Sequence, residues 1–361
     1  SQQLGFTLTG PAHPRDVYSL NWQQQRITRW THSENGGLDE ADMVQPELIH
    51  YPGYVAQAND EIETGAQTLQ IPAWYYRAAP RSSVQADTPV PASEAALSDS
   101  VIAEPGTLGS VTAGSVTAGP VVIYIHGGPE AQARPRYDPL IQFWVQELGL
   151  SVIVPNVRGS KGYGRSYVSL DNGHRREDSV RDIGALLDWI EQQPELDHQR
   201  VGVYGASYGG YMVLSSLAHF GQRIRAGVDV NGISDFVTFL RNTSEYRRNH
   251  RRAEYGDERR RRTRRFLASI SPLNMSDRIQ SPLLIVQGAN DPRVPAAQSE
   301  TMLKSLRKAG GEAWYVLAKD EGHSIRRLGN RILLYQTIAR FWCHQLALNC
   351  VKSSSKVPNS Q

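Results

Sequence analysis

From residue 121 onward the chain repeats one rhythm: a short run of consecutive apolar residues, then a longer stretch whose apolar positions recur every three or four residues. The continuous runs at 121–125, 151–155, 201–204, 226–230, 282–286 and 313–317 read as strands covered on both faces, because a half-exposed strand would alternate apolar with polar. Between them, the segments near 140–148, 178–193, after Ser207, 297–308 and 331–347 read as amphipathic helices. This alternation predicts an α/β fold with a mostly parallel, doubly wound sheet, since parallel neighbours need a crossover and the crossovers here are helical.

The front of the chain follows a different pattern. Residues 16–20 and 26–30, separated by a polar stretch, predict a β-hairpin within an N-terminal β segment at 1–35, and a further strand pair is expected from 47–51 and 69–76. Between 80 and 119 large apolar side chains almost vanish, and Ser110-Val111-Thr112-Ala113-Gly114 repeats at 115–119. That composition predicts a flexible insertion with too little to bury to offset its ordering entropy. The expected organisation is the β segment at 1–35, one α/β domain at 36–350 interrupted by that insertion, and a disordered tail at 351–361.

Composition narrows the class. With 361 residues, 40% of them hydrophobic and 21% charged, the chain is globular, and no apolar run approaches the roughly 20 residues of a membrane span. The start, Ser1-Gln2-Gln3, shows neither an initiating Met nor a basic region followed by an apolar stretch, so no secretory signal is visible and the cytoplasm is the default expectation. The net charge of +3 is unevenly spread: residues 247–265 hold ten Arg against Glu254, Asp257 and Glu258, and the rest of the chain is slightly acidic. The two cysteines, Cys343 and Cys350, lie seven apart in an apparent helix, which would hold them about 10 Å apart along its axis, too far for a disulfide.

The candidate chemistry begins at Gly205-Ala206-Ser207-Tyr208-Gly209-Gly210. It follows the 201–204 strand and precedes the apolar Tyr211-Met212-Val213-Leu214, the strand–turn–helix context of a nucleophile elbow. Taken alone the pattern is equally a tight glycine turn. The 121–125 strand, however, ends in His126-Gly127-Gly128-Pro129, a loop able to supply the Gly128 N–H as one oxyanion donor, with the Tyr208 N–H as the other. The 282–286 strand leads to Asp291 and the 313–317 strand to His323, so Ser207, Asp291 and His323 occur in the order of α/β-hydrolases. Each sits past the carboxyl end of a parallel strand, where the sites of such sheets assemble. In that constellation His323 takes the Ser207 proton and Asp291 holds the imidazole tautomer. No metal or organic cofactor is implied.

Together with Asn156-Val157-Arg158-Gly159-Ser160-Lys161-Gly162-Tyr163-Gly164, Gln287-Gly288-Ala289-Asn290-Asp291-Pro292-Arg293-Val294-Pro295 and Glu321-Gly322-His323, these motifs resemble the prolyl oligopeptidase family of serine peptidases, on its acylaminoacyl-peptidase and dipeptidyl-peptidase side. The resemblance spans about residues 44–348 without the insertion. It implies an α/β-hydrolase fold and a peptidase acting on oligopeptides, with Arg293 binding a substrate backbone carbonyl and Ile233, Phe236, Val294 and Tyr208 lining the primary specificity pocket. Two departures stand out. Family members carry a large β-propeller before the hydrolase domain, and here only residues 5–33 resemble its last part; a fragment, an aberrant gene product and a partner that restricts access in its place are all open. Ser324-Ile325 also replaces the commoner small residue followed by an aromatic one after the His.

Other classes fare worse. Arg158-Gly159-Ser160-Lys161-Gly162-Tyr163-Gly164 fits neither phosphate-loop nor dinucleotide patterns, and neither a zinc-peptidase helix motif nor paired C-x-x-C is present. The Arg-rich run at 247–265 is the best case for binding nucleic acid or another polyanion. Its interspersed acids read instead as a solvated helical face, or as a basic cap that steers acidic peptides. A carboxylesterase using the same three residues is the remaining enzyme alternative.

Overall fold

The structure, a computed structural model, describes residues 2–55, 68–79, 118–348 and 350. Apart from 118 and 119 the expected insertion lies outside the described residues, as does the expected tail at 351–361. Strands β1 (Gln3–Gly10), β2 (His13–Asn21) and β3 (Arg26–Arg29) form a separate antiparallel sheet in that order. The expected hairpin is β2 with β3, Tyr18 facing Arg29. Strand β1 extends this hairpin: Leu4, Phe6 and Leu8 alternate with Gly5 and Thr7, and its register is set against β2. Asp16 ties this sheet together, accepting from Arg29, Thr31 and Ser33.

The main sheet adds β4 (Glu47–Pro52), β5 (Gln70–Tyr76), β6 (Gly119–Ile125), β7 (Ser151–Pro155), β8 (Leu196–Ala206), β9 (Ala226–Val230), β10 (Leu283–Gly288) and β11 (Ala313–Ala318). Its order is β11-β10-β9-β8-β6-β7-β5-β4, with the six strands from β6 to β11 parallel and β5 and β4 antiparallel at one edge. The helices are α1 (Pro139–Gln146), α2 (Arg165–Val168), α3 (Arg176–Glu191), α4 (Tyr208–Phe220), α5 (Phe236–Asn242), α6 (Glu245–Tyr255), α7 (Arg261–Ser269), α8 (Ala297–Lys308) and α9 (Leu328–Gln345).

The continuous apolar strands are buried on both faces. Val121, Ile123 and Ile125 of β6 face a core with Ile183 of α3, Leu214 of α4 and Met302 of α8, whereas Val122 faces Trp144 of α1 and Phe341 and Trp342 of α9. This is the α/β-hydrolase fold that the periodicity and motif order implied. Helix α1 starts where local chemistry demands it: Asp138 accepts from the Leu140 N–H and Pro139 occupies the first helical position. Among the described residues no helix is long and apolar enough to cross a membrane.

The cysteine expectation is overturned, because Cys343 and Cys350 form a disulfide with their Cα atoms 5.9 Å apart. The premise that failed was a helix running through both. Helix α9 stops at Gln345, Ala347 turns the chain in the left-handed region at φ 49°, and Cys350 folds back beside Cys343. The Leu348 N–H donates to the Cys343 carbonyl in that reversal.

Candidate active site

Ser207 sits between β8 and α4 at φ 61° and ψ −119°, a conformation rare for a residue with a side chain and held here by its surroundings. Its N–H donates to Val230 O at 2.8 Å, across to β9. The turn needs the neighbouring glycines: a Cβ at Gly209 would collide with the Ile125 carbonyl oxygen, and one at Gly205 with the Gly209 backbone. Strand, turn and helix therefore close tightly enough to lift Ser207 above the carboxyl edge of the sheet.

Asp291 and His323 reach that edge from the turns after β10 and β11. His323 Nδ1 lies 2.6 Å from Asp291 Oδ2, while Asp291 Oδ1 accepts from the N–H groups of Arg293 at 2.7 Å and Val294 at 3.0 Å. The carboxylate is wholly buried and the imidazole slightly exposed. Asn231 braces both turns, accepting from the Gly288 N–H at 2.8 Å and donating to the His323 carbonyl at 3.0 Å. Glu321 closes the loop beyond, accepting from the N–H groups of Arg326 and Arg327. Neither Asn231 nor Glu321 carries a sequence signal that marks this bracing role.

Ser207, His323 and Gly128 open onto one cavity of about 210 Å³. Gly128 has φ +132°, and a Cβ there would crowd the Glu130 and Ala131 N–H groups. Its own N–H donates to no group among the described residues. The Tyr208 N–H belongs to the first turn of α4, where donors have no partner within the helix. His126 does not share the cavity. Its ring nitrogens lie 2.9 Å from Gly127 O and Ser160 Oγ, and burial pushes its pKa down, so it anchors the loop as a neutral ring. The Asn156–Gly164 motif likewise props this loop: Asn156 accepts from the Ala133 N–H at 2.7 Å, and the Lys161 N–H donates to Ala131 O.

Of the expected pocket residues, Ile233, Arg293 and Val294 line the cavity. Phe236 and the Tyr208 side chain do not. Phe236 is fully buried between Tyr211 and Tyr255, and Phe239, one turn later on α5, faces the cavity in its place. The Tyr208 ring is buried beneath Arg176, its hydroxyl 2.9 Å from Ser179 Oγ. Arg176 is itself wholly buried and ion-paired to Asp171 and Glu254. Burial raises the pKa of Asp171 to about 7 and that of Glu254 upward, while Arg176 opposes both shifts.

The Arg-rich run is not only a solvated face. Arg247, Arg251 and Tyr255 recur every four residues on α6 and all line the cavity, with Arg251 Nη1 donating to Gly128 O at 2.8 Å. Spacing could have revealed the shared helix face, but nothing in the sequence indicated that it turns toward Gly128.

Comparison with known proteins bears on the family and the fold. The chain is 34% identical over 214 residues to dipeptidyl aminopeptidase BIII of Pseudoxanthomonas mexicana, covering 58% of this chain and 31% of that protein. It is 32% identical over 228 residues to dipeptidyl peptidase family member 6 of Caenorhabditis elegans, covering 61% and 30%. The chain thus spans about a third of the length of these curated relatives. Among solved structures, a puromycin-hydrolyzing peptidase of Mycobacterium tuberculosis superimposes with a TM-score of 0.75 at 21% identity, over 96% of this chain and 46% of that one. An acylaminoacyl peptidase of Pyrococcus horikoshii does so at 0.71 and 19%, over 99% and 50%. These superpositions speak to the fold alone. Residues 135–349, which hold the elbow serine and the two turns that carry Asp291 and His323, match the prolyl oligopeptidase family, and the chain belongs to that family.

Proposed function

We propose that the chain is a serine peptidase that cleaves oligopeptides through an acyl-enzyme on Ser207. The observation that carries the reading is the convergence of a strained Ser207 and His323 on one cavity, with the imidazole held by a buried Asp291 carboxylate. Ser207 Oγ attacks the scissile carbonyl as His323 Nε2 takes its proton. Asp291 accepts from Nδ1–H, which fixes the tautomer and stabilises the imidazolium. The carbonyl oxygen, now an oxyanion, receives the Gly128 and Tyr208 N–H groups. His323 then protonates the leaving amine, and a water activated by the same imidazole releases the acyl group.

Labelling with a fluorophosphonate tests the nucleophile: wild type should be labelled and Ser207→Ala should not, and equal absence of label in both sinks the reading. Rates on a blocked peptide p-nitroanilide and a matching ester distinguish a peptidase from an esterase, since an esterase cleaves only the second.

A further inference from the structure

The arginines of α6 and α7 divide into two groups. Arg252 pairs with Glu258, Arg259 with Asp257, and the remaining acid of the run, Glu254, is turned inward to Arg176. These three carboxylates are thereby engaged by arginines other than Arg247 and Arg251. Arg247 and Arg251 face the cavity, and among the described residues neither has a carboxylate within ion-pair reach. Arg293 enters from the opposite turn, also without an ion-pair partner among the described residues. The cavity's other walls, Ile233, Phe239, Thr243, Tyr255 and Val294, add apolar surface and two hydroxyls and no carboxylate.

A small cavity walled by guanidinium groups without counter-charges favours an anion, because guanidinium–carboxylate hydrogen bonds are among the strongest available and gain strength where water is excluded. Arg251 is hydrogen-bonded to the carbonyl of Gly128, so its charge sits within one peptide unit of the N–H assigned to the oxyanion. An anion held there belongs to the residue that supplies the scissile carbonyl or to its near neighbour.

We propose that Arg247 and Arg251 form a subsite for the carboxylate side chain of an Asp or Glu on the acyl side of the scissile bond. The proposal rests on the peptidase reading above and adds the substrate class. A carboxylate could also come from the C-terminus of a short peptide, and the basic face could serve a polyanion; the test separates these.

The probes are acetyl-Ala-Glu-p-nitroanilide and its Gln and Lys counterparts, which share a leaving group and lack a C-terminal carboxylate. Wild type should favour Glu over Gln in kcat/KM by roughly tenfold or more, the scale of a charge-assisted hydrogen bond. Arg247→Gln and Arg251→Gln should each draw that ratio toward one, and Arg247→Glu should favour Lys over Glu. Arg251→Gln should also slow all three substrates, because Gly128 loses its brace. The subsite alone is overturned if Ser207 accepts the fluorophosphonate label while Glu is not favoured, or if neither Gln variant moves the ratio. It is overturned as well if acetyl-Ala-Gln-Ala is cleaved faster as free acid than as amide while Glu is not favoured, which assigns the arginines to a C-terminus. Inhibition of Gln cleavage by duplex DNA at physiological salt, lost in Arg247→Gln, assigns them to a polyanion. Absence of both hydrolysis and labelling overturns the peptidase reading and this subsite with it.

Discussion

Two buried carboxylates near Ser207 differ in what surrounds them. Asp291 accepts two backbone N–H groups and faces His323 Nδ1. Asp291→Asn should leave the fold intact and lower kcat by roughly ten-thousandfold, because the amide favours the wrong imidazole tautomer; steady-state kinetics beside a urea melt of the same variant checks both halves. Asp229, opposite Gly205 in the sheet register, has only the Gly232 N–H to offset its burial, and its pKa is pushed up to about 7. A folded pKa above the unfolded value of about 4 means that the folded state holds the proton more tightly. The contribution of Asp229 to stability is therefore present at low pH and falls away as pH rises from about 4 to about 7. Asp229→Asn removes that dependence, so its unfolding free energy relative to wild type should rise across this window in urea titrations. Gly209→Ala is the steric counterpart: a methyl directed at the Ile125 carbonyl should cost about 3 kcal/mol and most of the activity, read by denaturation and fluorophosphonate labelling.

At the scale of elements, most strands and helices were legible because each is specified by its own period. The expected 151–155, 226–230 and 297–308 coincide with β7, β9 and α8. Helix α9 shows where local reading fails. Its periodicity does not say that the chain reverses after Gln345, and the disulfide exists only because it does. Closing a loop with a sequence separation of 7 restrains the unfolded chain by about 2 kcal/mol in the entropy model. Cys343→Ser and mild reduction should each lower the melting temperature by a few degrees without altering labelling of Ser207, since the bond packs beneath the face of the sheet opposite α4. Calorimetry with and without reductant checks this. Helix α6 poses the same difficulty in another form: its charge was plain, but the direction of its Arg247–Arg251–Tyr255 stripe was not.

For the whole molecule, the three-stranded sheet stands apart. Leu4, Leu8 and Ile27, which the register puts on one face, and Trp22 in the turn after β2 are each at least half exposed there, and β3 is paired only with β2 among the described residues. An apolar sheet face beside an open edge favours association. Light scattering should show a mass that rises with protein concentration, and Trp22→Ser with Ile27→Thr should suppress the rise. The sequence by itself determined the alternation of the parallel strands with their main covering helices and put Ser207, Asp291 and His323 at strand ends, because periodicity, glycine sterics and motif spacing are properties of neighbouring residues. Only the tertiary structure decided which residues wall the cavity: Arg251 meets Gly128 across a separation of 123 residues, Phe239 displaces Phe236, and Cys350 returns to Cys343. Those outcomes depend on where the chain reverses and which helix face the core claims, and no local pattern encodes either.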